Sequence, residues 1–390
     1  MKLLRAPERT GEWLEDPGFG VYVHIPFCLK RCDYCDFNTY EGQEHLHRDY
    51  VEALVRDIER IEGDVPAASS VFFGGGTPTL LPPASLAMIL RAVAARVGVA
   101  PDAEITVEAN PETVDEDAFE SLLEAGFNRF SVGVQSLRPH VLRGLGRTHS
   151  AESALAALAA ARRAGVEDLN ADLIFGSPWE RADDWLASLN GVVEAAPDHV
   201  SAYALTVEEH TPLHTLVATG RIPDVDPDVQ AERYGVAEEV LEAGGYARYE
   251  ISNWARAGHC SRHNLLYWSA GDYLGFGAGA HGHLGGRRYW NVRLPRSFVD
   301  EVAAGRPTEA GAERLGPDER VGEALMLGLR LSSGVDLAAF GRRFGTSGLS
   351  RRAATIAALE AEGLVETAGG RLRTAPRRLL VASEVARRLL

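Results

Sequence analysis

Cysteine is scarce in this chain: 390 residues contain 4, and three of those fall between positions 28 and 35. A disulfide framework is thereby excluded, since it needs pairs spread along the sequence. No apolar run is long enough to span a bilayer, and the opening Met1-Lys2-Leu3-Leu4-Arg5-Ala6-Pro7 turns charged where a secretory signal would continue apolar. Positive charge is in deficit, with 40 Lys and Arg against 55 Asp and Glu and a formal net charge of -15. That balance argues against a general nucleic-acid or anionic-membrane surface, a local basic patch aside. Low-complexity tracts are missing, as are internal repeats beyond an alternation of strand and helix. The composition that remains is ordinary for a globular protein, 45% hydrophobic and 24% charged, with length for a main domain and one or two smaller ones. A soluble protein of a reducing cytoplasm is expected, where thiolates stay available to metal.

The grouped cysteines lie in Val21-Tyr22-Val23-His24-Ile25-Pro26-Phe27-Cys28-Leu29-Lys30-Arg31-Cys32-Asp33-Tyr34-Cys35-Asp36-Phe37. An apolar run ends at Pro26 and opens into three thiols close enough in sequence to converge from one short loop, which suits a metal centre. Structural zinc usually completes four ligands with a second cysteine pair or histidines, and no second pair exists. Three thiolates on a four-iron cluster leave one iron without a protein ligand, and an open iron is a reactive one.

Segments of strand character at 21–25, 70–73, 104–109, 129–134, 168–175 and 199–205 alternate with helical patterns at 45–61, 85–97, 115–125, 151–164, 185–195 and 229–243. The fold class is therefore α/β, a partial parallel β/α barrel of about six units with its site at the C-terminal strand ends. Residues 249–292 break the alternation and are rich in Gly, His, Tyr and Trp, a texture that suits a layer over a cavity. From residue 318 the order helix, helix, helix and hairpin predicts a winged-helix-like module closed by a last helix at 382–390. The expected divisions are a barrel at 1–248, a cover segment at 249–317 and a C-terminal domain at 318–390, with a linker at Ala303-Ala304-Gly305-Arg306-Pro307.

Gly74-Gly75-Gly76-Thr77-Pro78 directly follows the second strand. Glycines there let backbone approach a ligand, although a tight turn is the plainer account. Glu108, Gln135 and Asp172 recur where later strands end, and Arg147 precedes a helix. One such residue is usually a cap; several on one barrel face suggest a pocket.

The cysteine spacing, with His24-Ile25-Pro26-Phe27 before it and Tyr34 within it, resembles the signature of radical S-adenosylmethionine (SAM) proteins. The likeness to the oxygen-independent coproporphyrinogen III oxidase-like branch runs over almost the whole chain. It implies a 4Fe-4S cluster on Cys28, Cys32 and Cys35, whose open iron SAM chelates and whose electron cleaves SAM to methionine and a 5'-deoxyadenosyl radical. It also implies SAM contacts from Tyr22, Gly75, Glu108, Gln135, Arg147 and Asp172.

Two features discriminate within the branch. Coproporphyrinogen III dehydrogenases carry a further cysteine where this chain has Phe37, and a longer extension ahead of the cluster. His263-Asn264-Leu265-Leu266-Tyr267-Trp268 matches the His-Asn-x-x-Tyr-Trp motif that radical SAM haem chaperones of the HemW type associate with haem binding. This resemblance implies haem as a third cofactor with His263 beside it, and haem-accepting proteins, respiratory ones among them, as partners. Nucleic acid is not expected, and peripheral membrane contact stays open. A histidine packed beside two core aromatics is the plainer account, with His259, His281 and His283 as nearby alternatives. Cys260 is either a haem-side thiolate or an inert buried thiol. The enzyme alternative is oxidative decarboxylation of coproporphyrinogen III to protoporphyrinogen IX.

The arginine pairs 342–343, 351–352, 377–378 and 387–388 raise a DNA-binding winged helix as a further reading. The acidic chain and the mostly Ala, Leu and Ile helix expected at 350–362 weigh against it, in favour of a lid or docking module.

Overall fold

The computed structural model describes residues 11–375 and 382–390; the Arg377-Arg378 pair and the chain's opening residues lie outside them. The six expected strands are present as β1 (Phe19–Ile25), β2 (Ala68–Gly75), β3 (Val99–Ala109), β4 (Arg129–Gln135), β5 (Leu169–Phe175) and β6 (His199–Ala204). Each pairs in parallel with the next in sequence order. Helices His47–Glu59, Pro83–Arg96, Glu116–Glu124, Ala151–Arg163, Ala182–Ala195 and Pro227–Ala243 follow them in turn and cover the outer face. Covered on one face by helices and curled on the other, such strands read as nearly continuous apolar runs. Six β/α units in one direction bring all the C-terminal strand ends to one mouth.

The sheet is larger than the six units. It has twelve strands in the order β12-β11-β10-β9-β1-β2-β3-β4-β5-β6-β8-β7. On one edge, β7 (Ala247–Glu250) and β8 (Asn253–Ala255) form an antiparallel hairpin beside β6. On the other, β9 (Asp272–Phe276) runs parallel to β1, and β10 (His281–Leu284), β11 (Arg287–Asn291) and β12 (Glu309–Arg314) continue antiparallel. Thus the Gly-, His-, Tyr- and Trp-rich stretch does its covering as sheet at both edges, with the helix Arg262–Trp268 between them packed on β1 and β2.

That helix closes the floor of the barrel. Ser261 caps it, its hydroxyl accepting from Asn264 N, while the buried Glu104 carboxylate in the middle of β3 accepts from Arg262 N (2.8 Å) and His263 N (2.9 Å). A carboxylate at a helix N-terminus satisfies orphaned N–H groups and complements the dipole.

Beyond Arg314 the chain folds as helices Pro317–Gly328, Leu337–Phe344, Ser347–Ala361 and Ala382–Leu389 around a small sheet of β13 (Val335–Asp336), β14 (Val365–Ala368) and β15 (Arg371–Thr374). The β14–β15 turn is Gly369-Gly370, both at positive φ (58° and 78°), as a two-residue hairpin requires. A second hydrophobic core joins this module to the rest: Trp13, Tyr249, Cys260 and Leu265 pack with Leu325, Leu329, Leu331 and Phe340. Cys260 is therefore a buried core thiol, 6% exposed.

The three described arginine pairs are engaged within the chain. Arg351 and Arg352 share Asp318, Arg388 pairs with Glu362, and Arg342 pairs with Glu15. Arg343 donates to the carbonyls of Ser269 and Ala270 just past the floor helix, with its guanidinium 4.9 Å from the Phe344 ring centroid. Arg343→Ala should therefore lower stability by about 2 kcal/mol and speed proteolytic release of the C-terminal module. Thermal unfolding and limited proteolysis check this; an unchanged melting temperature and digestion pattern would show that the junction does not depend on the contact.

Candidate functional site

The cysteine loop leaves β1 through Pro26-Phe27 and is closed by Cys28 N→Tyr40 O (2.9 Å) and Tyr40 N→Pro26 O (2.7 Å). The glycine run after β2 is bonded to its root by Gly76 N→Ile25 O (2.8 Å) and Thr77 N→Phe27 O (2.7 Å). A Cβ on Gly76 would lie 2.5 Å from the Phe27 carbonyl oxygen, so this approach needs glycine.

All three loop thiols are half-buried, each beside a polar partner: Cys28 Sγ lies 4.0 Å from Thr77 Oγ1, Cys35 Sγ 3.8 Å from Thr39 Oγ1, and Cys32 Sγ 3.4 Å from an Arg147 guanidinium nitrogen. Burial pushes the Cys28 thiol up to about 11 and the Cys35 thiol upward as well, so the thiolate forms lack a compensating cation. Among the described residues no three His, Cys, Asp or Glu side chains close around a single ion. Three thiols on one loop are the donor type that holds a cluster through different irons.

The other sequence-predicted residues come together around the mouth. Tyr22, Gly75 and Glu108 line a cavity of about 860 Å³ with His24, Phe72, Tyr267, Tyr273 and His281, among others, and the 65%-exposed Phe37 stands on its wall. Gly75 sits at φ +113°, where a Cβ would meet the His24 ring at 2.3 Å, and its N–H donates to Glu108 Oε2 (3.0 Å). The Tyr22 hydroxyl is 2.8 Å from His24 Nδ1, and His24 Nε2 is 3.0 Å from the Asn38 carbonyl oxygen. Gln135, at φ +64°, converges with Asn110 and Arg147 over Gly133, where a Cβ would meet their polar atoms at 2.9, 3.0 and 3.4 Å. Arg147 also donates to Asn110 Oδ1 (2.6 Å), which links the cysteine loop to the end of β3.

Asp172 accepts from Ser131 Oγ (2.7 Å) and Asn170 Nδ2 (2.8 Å). Burial, and next the negative charge of Asp172, push the Glu108 carboxyl up to about 7 against the pull of the Gly75 N–H. Burial raises Asp172 too, against its hydroxyl and amide donors. Two desolvated carboxyls at one mouth, facing an arginine across the site, suit a ligand that carries both signs of charge.

His263 lies apart from this mouth, on the barrel floor. It is 1% exposed, with Nδ1 2.9 Å from Ser70 Oγ, Nε2 2.8 Å from the Tyr267 hydroxyl, and its ring stacked on Phe72 at 5.2 Å. Burial depresses its pKa to about 3, so it is a neutral imidazole with both nitrogens engaged. The aromatic half of its motif faces open space: Tyr267 lines the mouth cavity, and Tyr267 and Trp268 line a second cleft.

The radical SAM superfamily model matches residues 22–190, and the HemN C-terminal domain model matches residues 315–381. The heme chaperone HemW of Mycobacterium tuberculosis is 42% identical over 378 residues, 95% of this chain and 95% of that protein. The chain belongs to the HemW family. HemW of Escherichia coli is 40% identical over 73% of this chain and 76% of its own. The bovine mitochondrial radical S-adenosyl methionine domain-containing protein 1 is also 40% identical, over 79% and 67%. Among solved structures, coproporphyrinogen III oxidase (HemN) of Escherichia coli superposes with a TM-score of 0.81 over 97% of this chain and 91% of its own at 23% identity, which shows a shared fold.

Sequence reasoning reaches Tyr267 through the His-Asn-x-x-Tyr-Trp motif but misses His24, Asn110 and Tyr273, which stand with the candidate residues here. His24 carried a usable signal, since it alternates with Tyr22 on the inward face of β1. Tyr273 carried none, being one aromatic among several in a stretch without hydrophobic period.

A Glu108 carboxyl with a pKa near 7, against an ordinary 4.5, holds a proton that the unfolded chain has already lost between those values. The parent should therefore lose up to about 3 kcal/mol of stability as pH rises through that window. Glu108→Gln should remove this slope, matching the parent near pH 4 and exceeding it at pH 8. Denaturant unfolding at both pH values checks this, and a parent-to-variant difference independent of pH would refute it.

Proposed function

We propose that this chain is a haem chaperone: it binds a 4Fe-4S cluster through Cys28, Cys32 and Cys35, SAM at the barrel mouth, and haem, which it delivers to acceptor proteins. The observation that carries this reading is the 42% identity, over 95% of both chains, with a protein named heme chaperone HemW. Supporting it, Phe37 stands two residues past Cys35, where a coproporphyrinogen III dehydrogenase would have a fourth thiol. The dehydrogenase reading rests on a likeness at 23% identity, which speaks to fold.

When bound, the cluster supplies a one-electron donor and an open iron that an amine and a carboxylate can chelate. The chain's own residues do the rest. Glu108, once ionised, would accept hydrogen bonds from the N–H groups of the SAM amine, with Gly75 leaving room for it. Arg147 offers a guanidinium to carboxylate while remaining against the Cys32 sulfur. Asp172 and Gln135 accept and donate to sugar hydroxyls, and Tyr22 and Phe72 wall the cavity. Acceptors in respiration and a cytoplasmic site of action complete the reading; among the described residues no helix is long and apolar enough to cross a membrane.

The test offers haem and coproporphyrinogen III in parallel to anaerobically reconstituted protein. Retained haem that passes to an apo-haemoprotein is expected, with no protoporphyrinogen IX. Multiple-turnover formation of protoporphyrinogen IX would overturn the reading in favour of the enzyme. Cys32→Ala should lose most cluster iron and sulfide, and a full cluster in that variant would remove the ligand assignment.

A further inference from the structure

The second cleft, of about 290 Å³, lies between the β9–β11 edge of the sheet and the helix Pro317–Gly328. Its walls are apolar and aromatic, with Tyr267, Trp268, Tyr273, Leu327 and Phe344, and its polar members include His283 and Arg288. We propose that this cleft is the haem seat and that His283, not His263, is the ligand to the haem iron. The proposal rests on the haem-binding reading above.

The two histidines differ in what their ring nitrogens already do. His263 would have to give up Ser70 and Tyr267 and emerge from behind the Tyr267 ring to meet a metal. His283 has Nδ1 3.0 Å from Asp272 Oδ1, and that same oxygen is fixed by Gly285 N at 3.1 Å. A carboxylate at Nδ1 draws the proton there and leaves the lone pair on Nε2, the arrangement that supports metal-ligating histidines. Among the described residues no hydrogen-bond partner takes His283 Nε2, and its side chain, 17% exposed, lines the cleft.

The surroundings fit a flat, dianionic macrocycle. Trp268 is braced from one side by the Arg330 guanidinium, 4.4 Å from its ring centroid, and its buried indole N–H has no partner among the described residues. Arg288, now shared between Glu313 (2.7 Å) and Glu323 (3.2 Å), can exchange a carboxylate partner for a porphyrin propionate, and the exposed Arg320 stands beside it. The cleft receives an edge and a face without enclosing the ring, as suits cargo that must leave. His263 then becomes a positioning residue that aims the Tyr267 hydroxyl from below. Tyr267 and Tyr273, 4.7 Å apart and edge to face, line both this cleft and the mouth cavity, so haem and SAM would share a two-tyrosine wall.

The test titrates the full-length, cluster-loaded protein with haemin and reads affinity, Soret position and the spin state of the iron. The parent should show histidine ligation. His283→Ala should bind more than about tenfold more weakly with a shifted Soret band, and added imidazole should restore the parent spectrum. Asp272→Asn should weaken binding about tenfold. His263→Ala should keep the parent's ligation spectrum. Unchanged affinity and spectrum in His283→Ala, or a loss that imidazole does not restore, would overturn the ligand while leaving the haem reading intact; transfer of the effect to His281→Ala would do the same and point to the mouth. A parent that fails to bind haemin would overturn both. Unaltered circular dichroism and cluster content in each variant separate ligation from folding.

Discussion

The buried Glu104 carboxylate is the contact on which the rest of the architecture depends. It sits at 0% exposure on β3 and accepts from the backbone of Arg262 and His263. An unpaired charge at that depth would be prohibitive, so the floor helix and the carboxylate require each other. Around them runs a fully buried polar layer: Arg129 bonds Asp168, His199 joins Asn170 (2.6 Å) to the Tyr249 hydroxyl (2.9 Å), and Ser261 closes on Glu104. In a low-dielectric interior such a layer is stable only when complete, which makes the floor a single cooperative unit.

Closing the floor this way has consequences above and beside it. The helix Arg262–Trp268 presents Leu265 to the second core, which holds the C-terminal module, and Tyr267 to the mouth cavity. One seven-residue element thus ties barrel, module and both cavities together. Arg343 fastens the module to the carbonyls of Ser269 and Ala270, directly after the helical turn that carries Tyr267.

How much of this was legible in the sequence follows from how far apart the partners lie. The cysteine loop, the glycine run, Glu108 and Asp172 could be read because each is fixed by a strand end of local periodicity, and the structure gathers them at one mouth. The edge strands β7 to β12 escaped because they are short and mix glycine, histidine and arginine where a hydrophobic period would have spoken. The setting of His263 was legible only in part: a histidine packed beside aromatics, four residues before its ring partner Tyr267, could be read, whereas its backbone partner lies 159 residues away and its other ring partner, Ser70, 193. A motif reports which residues travel together, and only the packing decides which of them face a ligand. In this fold the aromatic half lines open cavities and the imidazole half buttresses it.

The mouth itself is built at a thermodynamic disadvantage. Glu108 and Asp172 are both raised by burial, and Asp172 raises Glu108 further; the thiols of Cys28 and Cys35 are raised as well. An ionised Glu108 or Asp172 at this depth opposes folding, and a ligand that brings positive charge relieves it, whereas the raised thiols stay neutral until iron displaces their protons. Iron on the thiolates and a cationic ligand at Glu108 would each bind the native state in preference to the unfolded one and stabilise it by mass action. The same strain selects among ligands: an anion or a neutral apolar molecule gains nothing from two repelling carboxyls. The second cleft is lined by one carboxylate, Glu323, already paired with Arg288, with Asp272 held behind His283 and Arg320 at its rim.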